Sequence, residues 1–243
     1  MDPILLILLC ASVAAAAAAL GVLPLRSPGT APEAWLGWAN ALASGLMFGG
    51  AIVIAQAGLD HPPAPGALGA LAGILLVYGT HALSNIPDVD LHRIHDAGAD
   101  YGYKVLFLAI LHASLEGIAI GVAMWTSVPL GIAVAITMTI HNVPEGMVLG
   151  AVLRESGVAT AATARMAVTA NLGQVFLGIS TYAVIEVAPG IFPAVNGFAV
   201  GALVFLVLSD LLPQAYAQAG RTAIAVVASA AMGMVLLLGG VIR

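Results

Sequence analysis

The chain has 243 residues, 61% of them hydrophobic and 8% charged, and a net charge of −5. A soluble domain carries about 25% charged residues, so this composition, with a mean hydropathy of +1.05, excludes an ordinary water-soluble domain. There is no basic patch or stripe, which argues against nucleic acid as a partner, and a single cysteine, Cys10, leaves no intrachain disulfide.

Eight apolar segments follow one another, at about 4–23, 34–59, 66–84, 103–125, 129–153, 163–187, 191–212 and 222–242. Each is long enough to cross the hydrocarbon core of a bilayer. A segment surrounded by lipid must satisfy its own backbone, so helices are expected; the alternation of a membrane barrel strand is absent. The first segment follows Asp2 rather than Lys or Arg and is read as a retained span, not a cleaved secretory signal. Pro24, Pro28, the run Pro62–Gly66, Pro129, Pro189-Gly190 and Gly220 punctuate the boundaries. The expected fold is all-α and polytopic, one transmembrane domain over residues 1–243. With the N-terminus outside, Arg26, Arg93, Lys104, Arg154, Arg165 and Arg221 fall in or beside inside loops and only Arg243 falls outside. The positive-inside rule therefore favours a multi-pass cell-membrane protein with both termini outside. Most of the 28 glycines, Gly121 and Gly150 among them, are expected to serve close helix packing.

The most informative feature is a repeat. Residues 112–121 read His-Ala-Ser-Leu-Glu-Gly-Ile-Ala-Ile-Gly, and residues 141–150 read His-Asn-Val-Pro-Glu-Gly-Met-Val-Leu-Gly. Ionisable side chains inside membrane spans are costly and mark functional sites. Positions i and i+4 share a helix face, so His112 pairs with Glu116 and His141 with Glu145. The two helices are joined by a tight turn near Ser127-Val128-Pro129 and run antiparallel. Counted from that turn, the four groups interleave within six residues of depth, roughly 9 Å along a helix. A divalent cation neutralises the two carboxylates; imidazole suits Zn, Cu, Fe and Ni, and carboxylate broadens the range toward Mn. The bland alternative is two His–Glu pairs acting as interhelical glue. Pro144 removes one helix hydrogen bond, which either breaks the helix and exposes carbonyls near an ion site or merely kinks it.

These residues resemble the ZIP (Zrt/Irt-like) family of divalent metal transporters. His141-Asn142-Val143-Pro144-Glu145-Gly146 is similar to its H-N-x-P-E-G signature, His112–Gly117 to the companion H-x-x-x-E-G, and Ser209–Gln214 to the end of its seventh helix. The resemblance implies a 3+2+3 arrangement, with spans 1–3 and 6–8 as inverted repeats around the fourth and fifth. It implies a primary metal site of His112, Glu116, His141 and Glu145, with Met47 from span two either a ligand or simply core. The family's second site is altered: Ala113 stands where an Asn or Asp is usual, and Gln174 where a Glu is usual. Asn142 and Gln174 offer carbonyl oxygens during passage or only hydrogen-bond between helices.

The expected function is import of a divalent transition metal, zinc first and Fe, Mn or Cd as alternatives, into the cytoplasm, with no catalytic residues. A homodimer is allowed for. An intramembrane metal-dependent hydrolase and a non-transporting metal sensor are the competing readings. The polar loop 85–102, with Asp88, Asp90, His92, His95, Asp96 and Asp100, either receives metal or is a solvated loop. His81 and Asp210 at the inner ends of spans three and seven are candidates for the exit, and Asp60 and His61 for the entrance.

Overall fold

The computed structural model describes residues 1–25, 33–84 and 94–241. Among them there is no strand, and eight stretches are helical, long and apolar enough to cross a membrane. The helices are α1 (Pro3–Val22), α2 (Glu33–Gly58), α3 (Pro63–Ser84), α4 (Ile94–Thr126), α5 (Val128–Glu155), α6 (Thr160–Ala170), α7 (Leu172–Val187), α8 (Phe192–Leu206), α9 (Leu212–Gln218) and α10 (Arg221–Val241). Spans one to five are α1 to α5, span six is α6 with α7, span seven is α8 with α9, and span eight is α10.

Local chemistry sets the ends. Asp2 caps α1 by accepting from the Ile4 N–H at 2.8 Å, with Pro3 at the first helical position, where its missing N–H costs nothing. Ser127 alone joins α4 to α5, and its hydroxyl accepts from the Leu130 N–H at 3.3 Å. The far end of α5 closes in a Schellman turn: Val158 N–H bonds Leu153 O and Gly157 N–H bonds Arg154 O, with Gly157 at φ 83°. The Arg154 guanidinium ties that end to the carbonyls of Val158 and Leu25.

The helices sort into two groups by packing. In one, α1 lies on α5 and on span six, and α4 lies on α5 and α7; in the other, α2 lies on α10 and span seven, and α3 on α8. The groups meet chiefly where α2 crosses α5 and α4 crosses α8. Glycines make the crossings possible. A Cβ on Gly21 would overlap the backbone of Val143 and Met147, and one on Gly146 would overlap that of Ala18. Gly73 and Gly201 bring α3 and α8 together in the same way. Gly121 and Gly150 are packing positions as expected, facing Gly178 with Thr181 and Val22 with Leu25. The central apolar cluster includes Met47, Leu115, Met138, Leu203 and Leu206, while Leu5, Leu8, Leu9, Val13 and Leu20 of α1 stay exposed, as suits a surface facing lipid.

Three features depart from the expected spans. Helix α5 runs through Pro144 without interruption, so of the two readings of that proline the break is not there; only the hydrogen bond that proline cannot donate is lost. The breaks lie instead at Asn171, which parts α6 from α7, and at a π-helical turn, Val207–Leu211, that carries Asp210 in span seven. Such turns widen a helix by one residue and are frequent at functional sites. Helix α4 also begins at Ile94, so His95, Asp96 and Asp100 belong to it; Asp88, Asp90 and His92 lie outside the described residues.

Candidate metal centre

The repeat on α4 and α5 converges as its spacing predicts, with one member apart. One ligand atom each from Glu116, His141 and Glu145 lies within 4.8 Å of the others. Glu116 and His141 are completely buried. The His112 ring stands further off, its centroid 6.5 Å from that of His141.

Two of the three groups are held by neighbouring helices, His141 by α2 and Glu116 by α7. His141 Nδ1 lies 3.1 Å from the Ala43 carbonyl of α2, an acceptor only, so Nδ1 carries the hydrogen and donates it. In the neutral ring this leaves the Nε2 lone pair facing inward, the tautomer a metal-binding imidazole needs. Nε2 lies 2.8 Å from Glu116 Oε1, yet neither atom makes a hydrogen bond of proper geometry. Two lone pairs that face each other at this distance repel unless a proton or a metal cation is shared between them. Glu145 has neither carboxylate oxygen hydrogen-bonded, and His112 Nε2 is likewise buried and without a hydrogen bond. The centre thus offers nitrogen and carboxylate oxygen and no thiolate, a set that accommodates Zn, Fe or Mn.

The polar neighbours expected beside the centre form one chain. Asn142 Nδ2 donates to Ala14 O at 2.8 Å and to Gln174 Oε1 at 3.1 Å. Gln174 Nε2 donates in turn to Glu116 Oε2 at 3.2 Å. Asn142 Oδ1 is buried without a hydrogen bond. Ala113 is buried and brings no polar group. Met47 is fully buried in the central apolar cluster, one helical turn beyond Ala43.

A cavity of about 70 Å³ opens on one side of the centre, lined by Asn40, His112, Glu145, Asp210 and Gln214 among others. Asp210 pairs there with His81 Nε2 at 3.1 Å and accepts from the Ser209 hydroxyl at 2.7 Å. At the opposite end of the molecule a second cavity, of about 520 Å³, is lined by Gln56, Asp60, Thr126 and Ser127. His61 is stacked on Phe192, ring centroids 4.9 Å apart.

The backbone acceptors of Ala14 and Ala43 were invisible to motif reading, because every residue carries a carbonyl. The pairing of His81 with Asp210 was equally hidden, although each was legible as a polar group near a span end. The break at Asn171 had a faint signal, an Asn-Leu-Gly step within an apolar run.

Eight apolar helices around a buried His/Glu cluster define the chain as a multi-pass membrane protein. Its sequence is similar to a protein of Arabidopsis thaliana described as a "putative zinc transporter", with 26% identity over 215 residues. That match takes in 87% of this chain and 35% of the plant protein, so the chain spans about a third of its relative's length. No family model matches the chain. The similarity agrees with the ZIP resemblance carried by the two His/Glu motifs.

Proposed function

We propose that the chain is a ZIP-type transporter that moves a divalent transition metal, with zinc as its cargo, from outside to the cytoplasm. The observation that carries this reading is the convergence of Glu116, His141 and Glu145 within 4.8 Å in the interior of an apolar helical bundle. Two carboxylates there match the charge of one divalent cation, and the similarity to a putative zinc transporter supports zinc over Fe, Mn or Cd. In this reading His112 completes the ligand set, both termini lie outside, and spans 1–3 and 6–8 are inverted repeats.

Saturable zinc entry into proteoliposomes, measured with an entrapped fluorescent indicator, tests the proposal. Tight binding without flux would instead identify a metal sensor. The cavity lined by His112, Glu145 and Asp210 lies on the Arg154 side of the centre, inside by the positive-inside rule, and is the proposed exit. Asp210→Asn removes the carboxylate at its far side, away from the centre. Losing a charged hydrogen-bonding partner commonly costs about 1.5–3 kcal/mol, so flux should fall roughly tenfold or more while zinc affinity at the centre changes little. Equal flux in the variant would remove Asp210 from the path.

Metal binding also competes with protons for the same lone pairs. Zinc affinity should therefore weaken as the pH falls from neutral towards 5, with proton release when zinc binds. Calorimetry in buffers of different ionisation enthalpy reads that release directly; a pH-independent affinity contradicts a His/carboxylate site.

A further inference from the structure

Gln174 holds a place beside the centre that is fixed from three sides. Two glycines let α7 start against α4: a Cβ on Gly117 would come within 2.8 Å of Gln174 Cα, and one on Gly173 within 2.5 Å of Ser114 Oγ. The amide of Gln174 therefore lies next to Glu116, the residue before Gly117, and is completely buried there.

Its orientation follows from the polarity of the chain it belongs to. The Ala14 carbonyl only accepts, so the end of the Asn142 amide that faces it at 2.8 Å must be the NH₂ group. That NH₂ also faces Gln174 at 3.1 Å, so Gln174 must answer with its carbonyl. The remaining end of Gln174, 3.2 Å from Glu116 Oε2, is then its NH₂, the only end a carboxylate accepts. One backbone carbonyl on α1 thus decides which face of an amide on α7 points at the metal centre.

Resting on the transport reading above, we propose that Gln174 is the positioning residue of the centre and not one of its ligands. Its carbonyl is turned away to Asn142. Its NH₂ holds Glu116 Oε2 and leaves Oε1 to meet a cation beside His141 Nε2. Asn142 Oδ1, buried and without a hydrogen bond, is the amide oxygen still open to a passing ion. Because the amide is neutral, the centre keeps the two negative charges of Glu116 and Glu145, enough for a single divalent cation.

The test is zinc binding to the full chain in detergent, followed by calorimetry, with a metal-free thermal melt for every variant. Gln174→Met keeps length and volume but removes the donor. Supporting groups behind metal ligands typically contribute 10- to 100-fold in affinity, and a loss of that size is expected while the metal-free melt, lowered by the missing hydrogen bond, still shows a cooperatively folded chain. Gln174→Glu is isosteric and puts an acceptor where the donor was, so the first zinc ion should again bind more weakly. Wild-type affinity in Gln174→Met, or tighter binding of the first ion in Gln174→Glu as an added anionic ligand would give, overturns the proposal. So does a zinc-bound structure with Gln174 Oε1 at a bonding distance of about 2.0–2.2 Å. The two readings fail separately. If the wild-type chain binds no zinc, the transport reading falls; if it binds zinc, His141→Ala abolishes that binding and Gln174→Met does not weaken it, only the role of Gln174 falls.

Discussion

Glu145→Ala is expected to abolish saturable zinc entry into proteoliposomes, lowering flux at least about 100-fold. The magnitude follows from what the side chain does. Neither of its oxygens is hydrogen-bonded within the protein, and both are buried beside Glu116 and His141, so the change removes one of the centre's two carboxylates and no structural contact of comparable strength. A groups-behind-the-ligand change commonly costs 10- to 100-fold, and loss of a ligand itself exceeds that. A single remaining carboxylate leaves a divalent ion with an uncompensated positive charge in an apolar interior, which is strongly unfavourable. Glu186→Ala, at an exposed position near the end of α7, should transport like the wild type. If Glu145→Ala transports normally, the His/Glu centre does not lie on the path.

Gly146→Leu is expected to have the second large effect, on folding before transport. A Cβ at Gly146 would approach Ala18 C at 2.7 Å and Ala18 Cα at 2.9 Å, and Gly21 faces α5 in the reciprocal way, with Gly146 C at 2.9 Å. These are backbone atoms, so no side chain can swing aside, and α1 must move off α5. Overpacking a tight contact costs about 1–3 kcal/mol, occasionally more, and here the backbones touch at two points of the same helix pair, Gly146 on Ala18 and Gly21 on Val143. The melting temperature in detergent should fall clearly and the yield of monodisperse protein should drop. Gly79→Ala, where nothing lies within 4 Å, should leave both unchanged or slightly improved, because alanine favours a helix over glycine. Equal melting temperatures for Gly146→Leu and the wild type would rule out the close crossing of α1 and α5.

The two glycines also explain why the centre is placed as it is. Gly146 follows Glu145, and Gly117 follows Glu116. Each glycine lets a neighbouring helix lie against the backbone next to a carboxylate: α1 beside α5, and α7 beside α4. The close approach carries Ala14 O to Asn142 and Gln174 to Glu116. The signature His-x-x-x-Glu-Gly thus combines ligand and packing in one turn, the glycine admitting the helix that holds the ligand before it.

By itself, the sequence determined that the chain is helical, that it has eight segments long and apolar enough to cross a membrane, and that His112 with Glu116, and His141 with Glu145, each share a helix face. These follow from local rules: length of apolar runs, the need to satisfy backbone groups in lipid, and the 3.6-residue period that stacks i on i+4. Depth counting brought the four groups to one level for the same reason, since two straight helices joined at Ser127 share a common origin. Tertiary structure alone decided how those groups divide. His112 is not within the tight three-residue group although its sequence position mirrors that of His141. It also decided that span six breaks at Asn171 and span seven loosens at Asp210, while α5 passes intact through Pro144. The direction in which Gln174 turns its amide depends on a carbonyl of Ala14, 160 positions away in the chain. A backbone carbonyl carries no sequence signature, so its influence exists only once packing has brought it to the site.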